Sequence, residues 1–186
     1  MTLAAGIAGL TYGWKHIVVR ETEIRSERLP ESFRGYRIAQ ISDLHIGTYS
    51  YAPEKVREIV DSINARRPDL IVFTGDIINI YPEELVQFTE ELDRLEAPDG
   101  VYAIMGNHDY CGYADYTPEE QDNAILRLQN LEKEAGLELL LNRNVIIRRG
   151  ADSLSLIGIE YAGQPQFPCK GDVQLASEGL PEGIFK

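Results

Sequence analysis

Leu70-Ile-Val-Phe-Thr-Gly-Asp-Ile-Ile-Asn79 decides the fold. Leu70 to Phe73 is a continuous apolar run, the signature of a strand covered on both faces. It stops at Thr74-Gly75-Asp76, where small and polar residues take over. Working outward, the same rhythm recurs on either side. Upstream, Tyr36-Arg-Ile-Ala-Gln-Ile-Ser42 reads as a strand. After it Pro53 opens a helix, at a position where its missing N–H costs nothing. Val56, Ile59, Val60 and Ile63 then fall on one helical face. Downstream, Pro82 opens a second helix with Leu85, Phe88, Leu92 and Leu95 on one side, and Val101-Tyr-Ala-Ile-Met105 is a third strand. Strand, helix, strand, helix, strand is the pattern of an α/β protein with a parallel sheet and right-handed crossovers.

Further out, Thr117-Pro-Glu-Glu120 is a capping box with Pro at the first helical position. The helix it starts is expected to bury Ala124, Leu128, Leu131 and Ala135 and to stop at Gly136. Asn144–Arg148 and Ser153–Ile157 flank Arg149-Gly-Ala-Asp152 and read as a hairpin with a four-residue loop. Lys15 to Glu23, with Ile17-Val18-Val19, reads as an edge strand. Residues 164–168 are loop-like, and Asp172 to Ser177 is expected to start a short helix.

The chain has 186 residues, 44% hydrophobic and 26% charged. That range excludes disorder, collagen and a multi-span membrane protein. The net charge of −12 argues against a protein that tracks long nucleic acids by charge. Cys111 and Cys169 are too few for a disulfide framework and read as unlinked thiols. Met1 to Trp14 carries no charge. Fourteen helical residues span only ~21 Å of a ~30 Å hydrocarbon core. The segment is therefore either a tail with a few buried contacts or the end of a membrane anchor that begins further upstream. Lys15, Arg20, Arg25 and Arg28 follow it and favour the cytoplasmic side for the globular part, residues 15–186.

Chemistry gathers where the strands end. The three clusters are Ser42-Asp43-Leu44-His45, Thr74-Gly75-Asp76-Ile77-Ile78-Asn79 and Gly106-Asn107-His108-Asp109. Asp43 and Asp76 are 33 residues apart, Asp76 and Asn107 31, each one strand–helix–strand step of about 30 residues. The clusters therefore leave one edge of neighbouring strands, where ligands bind in such sheets. Asp43 and His45 can turn into one crevice, Asp76 can bridge two metals, and Asn107 adds a neutral oxygen. Oxygen and imidazole donors without thiolate suit Mn, Fe or Zn. Two ions about 3.5–4 Å apart form the clamp of phosphoryl hydrolysis, with metal-bound hydroxide as nucleophile. His108 is placed to meet a phosphoryl or leaving oxygen, and Asp109 to orient its imidazole. Cys111 and His16 read as bystanders, and Glu83-Glu84 with Glu90-Glu91 as a solvated helix face. Tyr49, Tyr51, Tyr110, Tyr113 and Tyr116 lie near these loops, to stack on a base, line an apolar groove or cover the sheet edge.

Asp43-x-His45, Gly75-Asp76-x-x-Asn79 and Gly106-Asn107-His108-Asp109 resemble the first three motifs of the calcineurin-like metallophosphoesterase family. Leu29-Pro-x-x-Phe-Arg-Gly35 is similar to its membrane-associated bacterial subgroup, which includes phosphodiesterases and UDP-2,3-diacylglucosamine hydrolases. The resemblance covers roughly residues 15 to 160. It implies a four-layer α/β/β/α sandwich, of which this chain would supply the N-terminal part with mostly parallel strands and a β-hairpin. It implies two divalent ions, the first held by Asp43 and His45, Asp76 bridging, Asn107 on the second, and His108 as acid or transition-state stabiliser. Asn79 would hold the loop after Asp76. The activity implied is hydrolysis of a phosphoric mono- or diester or pyrophosphate, on a small or lipid-linked substrate.

The family's later ligands are histidines, and no histidine follows His108. The sequence therefore reads as the N-terminal part of a longer enzyme, with weak metal affinity, low or absent turnover alone, and exposed apolar sheet surface. The competing reading is a non-catalytic remnant serving as a binding or membrane-peripheral module.

Overall fold

The structure, a computed structural model, describes residues 17–163 and 169–186. The apolar segment 1–14, His16 and the loop-like 164–168 lie outside the described residues. Four parallel strands run in spatial order β1 (Ile38–Ile41), β2 (Leu70–Phe73), β3 (Val101–Ala103) and β4 (Glu138–Leu139). Register pairs Ile38 with Leu70, Ile71 with Val101, and Tyr102 with Glu138. Crossovers carry α1 (Glu54–Asn64), the short helices α2 (Glu83–Val86) and α3 (Thr89–Leu92), and α4 (Pro118–Glu134). A second, antiparallel sheet pairs β5 (Arg143–Arg149) with β6 (Asp152–Gly158), and α5 (Val173–Ala176) follows.

The β2 run behaves as its composition requires. Successive side chains alternate across a strand. Ile71 and Phe73 enter a core with Val56, Val60, Leu85, Phe88, Leu92, Leu128 and Leu131 from the helices. Leu70 and Val72 enter a second core with Tyr102, Leu140, Ile147 and Leu154, between the two sheets. Helices, parallel sheet and antiparallel hairpin thus stack in layers, the mixed α/β architecture that the sequence implies.

Four details differ from the sequence reading. The helix expected after Pro82 is broken in two, because Phe88 leaves helical geometry at φ −116°, ψ −2°. All four of its expected core residues, Leu85, Phe88, Leu92 and Leu95, are nonetheless buried. The hairpin loop contains two residues, since Arg149 pairs with Asp152, and Gly150 supplies a positive φ of 59°. Strand β4 has only two residues, too short to leave a periodic signal. Residues 17–23 form no strand; Ile17, Val18 and Val19 stay exposed, as does Ile38 in β1 at the open edge of the sheet. By contrast, the Thr117 capping box forms with both of its hydrogen bonds, and α4 is followed by Gly136 at φ 76°. No helix among the described residues is long and apolar enough to cross a membrane.

Candidate metal centre

Beyond the last strand residues, the chains of β1 and β2 stay hydrogen-bonded. Asp43, His45 and Ile46 donate their backbone N–H groups to the carbonyls of Gly75, Asp76 and Ile77 at 3.1, 3.0 and 2.8 Å. The first two polar clusters therefore leave the sheet as a pair. The second and third clusters meet by direct backbone approach. A Cβ on Gly75 would lie 2.4 Å from the Gly106 nitrogen, and one on Gly106 would lie 2.2 Å from Asp76 Oδ1. Only glycine fits at either position, which is the physical reason Asp76 and Asn107 are each preceded by one.

The backbone here is strained. Asp43, His45 and Asp76 have φ of 52°, 44° and 57°, and Cys111 just beyond has 55°. Left-handed geometry is unfavourable for non-glycine residues and persists only where the surroundings impose it. Asp109 supplies much of that imposition. Its carboxylate is fully buried and accepts the N–H groups of Asp76 (2.7 Å), Ile77 (2.9 Å), Ile78 (3.3 Å) and Gly106 (2.8 Å). Burial pushes its pKa up to about 7, against the pull of the Gly106 and Ile78 N–H groups.

This corrects one expectation. Asp109 does not orient the His108 imidazole, because its oxygens are committed to the backbone of both loops. The ring is held instead by the Asn79 carbonyl, 2.6 Å from Nδ1, while Nδ1 of His45 lies 3.1 Å from the Ile78 carbonyl. A carbonyl only accepts, so Nδ1 carries a proton in each ring and Nε2 is the nitrogen left to face the centre. Such carbonyl-bound imidazoles are typical of rings presented to metals.

His45, Asp76 and His108 come together. One donor atom from each lies within 4.8 Å of the others, and the two rings meet edge to face with centroids 4.6 Å apart. Asp76 Oδ1 also accepts the backbone N–H of His108 at 2.9 Å. Asp43 lies outside this trio. Its carboxylate is exposed and accepts the Ser42 hydroxyl. Asn107 donates from Nδ2 to the Tyr113 hydroxyl at 3.0 Å. None of Asp43, Asp76 and Asp109 forms an ion pair with a described residue. Two imidazoles and a carboxylate converging without a cation are a donor set that suits a divalent ion of the Mn, Fe or Zn type.

A family profile for calcineurin-like phosphoesterase matches residues 36–170. The chain belongs to the calcineurin-like phosphoesterase family. The chain is 39% identical over 122 residues to the uncharacterized metallophosphoesterase YkuE of Bacillus subtilis, covering 60% of this chain and 42% of that one. It is 30% identical over 185 residues to a transmembrane protein with metallophosphoesterase domain from Danio rerio, covering 96% of this chain and 40% of that one. It is 37% identical over 127 residues to the UDP-2,3-diacylglucosamine pyrophosphatase LpxG of Chlamydia trachomatis, covering 62% and 37%. The chain thus spans about 40% of the length of these relatives.

Three features of the centre were not read from the sequence. Glu84 is no solvated face residue. It accepts the N–H groups of Asn79, Ile80 and Tyr81 at 2.7, 2.9 and 3.0 Å, fixing the loop whose carbonyls hold both histidines. Its signal was present, since Tyr81-Pro-Glu-Glu84 repeats the Pro-Glu-Glu spacing of Thr117-Pro-Glu-Glu120. The carbonyls of Ile78 and Asn79 carry no sequence signal, because every residue has one. Tyr113, stacked on His108, sits in a loop without periodicity. Cys111 is buried and its thiol is pushed up to about 12, as suits a bystander.

Proposed function

We propose that this chain carries the nucleophile-activating half of a metal-dependent phosphoesterase that cleaves a phosphoric mono- or diester or a pyrophosphate at a dinuclear centre. The observation that carries the reading is the convergence of His45, Asp76 and His108 from three successive strand ends. When bound, the ions supply Lewis acidity toward the phosphoryl oxygens and activate water as the nucleophile. Asp43 and His45 would hold the first ion, Asp76 would bridge, and Asn107 would hold the second. To join them the Asp43 carboxylate would have to turn away from the Ser42 hydroxyl, while its backbone N–H stays on the Gly75 carbonyl. His108, with its Nδ1 proton held by Asn79, meets a phosphoryl or leaving oxygen through Nε2. Asp109 acts as a positioning residue through the backbone of both loops.

The resemblance to LpxG supports a lipid-linked or small phosphoester substrate, the resemblance to a transmembrane relative supports membrane association through residues 1–14, and Lys15, Arg20, Arg25 and Arg28 favour the cytoplasmic face. Residues 15–186 make the phosphoesterase domain. The lack of histidine after His108 favours weak metal binding by these residues alone, and a second reading as a non-catalytic binding module.

The test is calorimetric Mn2+ titration with a bis-p-nitrophenyl phosphate assay on the wild type and Asp76→Asn. Weak Mn2+ binding and slow turnover, both lost in the variant, are expected. Mn2+ binding that ignores the substitution contradicts the proposed centre, and binding without turnover of any phosphoester assigns the chain to the second reading. Tight binding of two ions with robust turnover shows that the later histidines are dispensable.

A further inference from the structure

Tyr113 stands where two of the proposed centre's groups can be adjusted at once. Its ring is stacked on His108, with centroids 4.3 Å apart and planes 26° from parallel. Its hydroxyl oxygen accepts from Asn107 Nδ2 at 3.0 Å. The side chain is about half exposed, so its position owes little to the hydrophobic core. His108 is thereby confined on three sides: His45 edge-on, Tyr113 stacked against its face, and the Asn79 carbonyl on Nδ1.

The hydroxyl contact has a chemical consequence. An amide can present either its oxygen or its NH2 group in one direction, and only the oxygen binds a cation. An acceptor that engages Nδ2 fixes the amide so that Oδ1 faces the other way. We propose that Tyr113 is a positioning residue of this centre, holding Asn107 through Nδ2 so that Oδ1 faces away from the hydroxyl, and setting the plane of the His108 imidazole. The inference rests on the proposed metal centre and adds a residue that neither the three motifs nor the strand ends contain. The two functions are separable, because the hydroxyl serves Asn107 and the ring serves His108.

Tyr113→Phe and Tyr113→Leu separate them. Both are tested by Mn2+ calorimetry and by NMR of the Asn107 side-chain amide and the His108 ring protons, with far-UV circular dichroism as the check on folding. Tyr113→Phe should weaken Mn2+ binding about fivefold, the order expected from losing one net hydrogen bond, and shift the Asn107 amide while leaving the His108 ring protons in place. Tyr113→Leu should weaken Mn2+ to the same extent and also move the His108 ring protons downfield, as the stacked ring's shielding disappears. Where turnover is measurable, kcat should fall further in Tyr113→Leu than in Tyr113→Phe, with KM unchanged. Folded variants with wild-type Mn2+ affinity and unmoved Asn107 and His108 signals overturn the inference alone. A wild type that binds no Mn2+ overturns the metal centre on which it rests.

Discussion

The two ends of the parallel sheet use the same side chains for opposite work. At the end where the strands begin, Asp69 and Asp99 both receive Arg149 Nη2, at 2.6 and 3.1 Å. Tyr36 donates to Asp99 at 2.8 Å, and the guanidinium lies 4.5 Å from the Tyr36 ring centre. Each carboxylate there has a cation, and the network ties the β5–β6 turn onto the sheet. At the end where the strands finish, Asp43, Asp76 and Asp109 have no cation among the described residues. Three residues there hold left-handed backbone. One end spends its charges on binding the layers together. The other has no Lys or Arg on its carboxylates among the described residues and holds a strained backbone, an arrangement that suits a positive ligand.

Substitutions sharpen this contrast. The largest effect is expected for Asp109→Ala, which leaves four N–H groups without their acceptor, two of them buried and two partly buried. At about 1 kcal/mol or more for each unmet group, the loss is at least ~3 kcal/mol in urea unfolding, with Mn2+ binding abolished. A stable Asp109→Ala that still binds Mn2+ would remove the buried carboxylate from the account. Next comes Gly106→Ala, whose methyl meets Asp76 Oδ1 and the Asp76 nitrogen. It should abolish Mn2+ binding at a cost of about 1–3 kcal/mol. Arg149→Met at the other end should cost about 1–2 kcal/mol, since its partners are partly shielded, and leave Mn2+ binding unchanged. Loss of Mn2+ binding in Arg149→Met would erase the distinction between the ends.

The smallest effects are in pH dependence, and they have opposite signs. Asp69 is partly buried, which favours the neutral acid. Its hydrogen bonds from Arg149 and Arg37 outweigh that, so its pKa is lowered. That stability is present above the ordinary carboxylate range and is lost as pH falls through the lowered value. Glu132, in α4 near Asp109, is buried, and Oε2 has no partner among the described residues. Burial raises its pKa well above the ordinary value, with the Asp109 charge adding to the effect. Here stability is full below the ordinary glutamate value and is lost as pH rises toward the raised one. Glu132→Gln should therefore be more stable than the wild type by about 1 kcal/mol at pH 7.5, with the gain shrinking toward pH 4. A gain independent of pH would show that Glu132 titrates alike in the folded and unfolded chain and would contradict the raised pKa.

What the sequence made legible follows from what repeats or is chemically distinctive. The Leu70–Phe73 run, the Pro-opened helices and the Thr117 box each have a local physical cause, and each appears where it was read. Strand β4 and the break at Phe88 depend on packing between distant segments and have no local signature. In the centre, the spacing of Asp43, Asp76 and Asn107 correctly gathered three loops at one edge. Which atom holds which ring was hidden, because backbone carbonyls make those contacts. Asp109 was placed in the right motif with the wrong partner, since adjacency to His108 in sequence says nothing about which way a buried carboxylate turns.

The central claim is that three strand ends build one cation cradle around His45 and His108. The chain has only three histidines, so their ring protons can be followed individually by NMR while Mn2+ is added in substoichiometric steps. The account predicts that the His45 and His108 signals broaden together at the first additions, ahead of His16, and that Asp76→Asn removes the effect from both. Broadening of all three histidines alike, or of His45 and His108 at different Mn2+ concentrations, would contradict it.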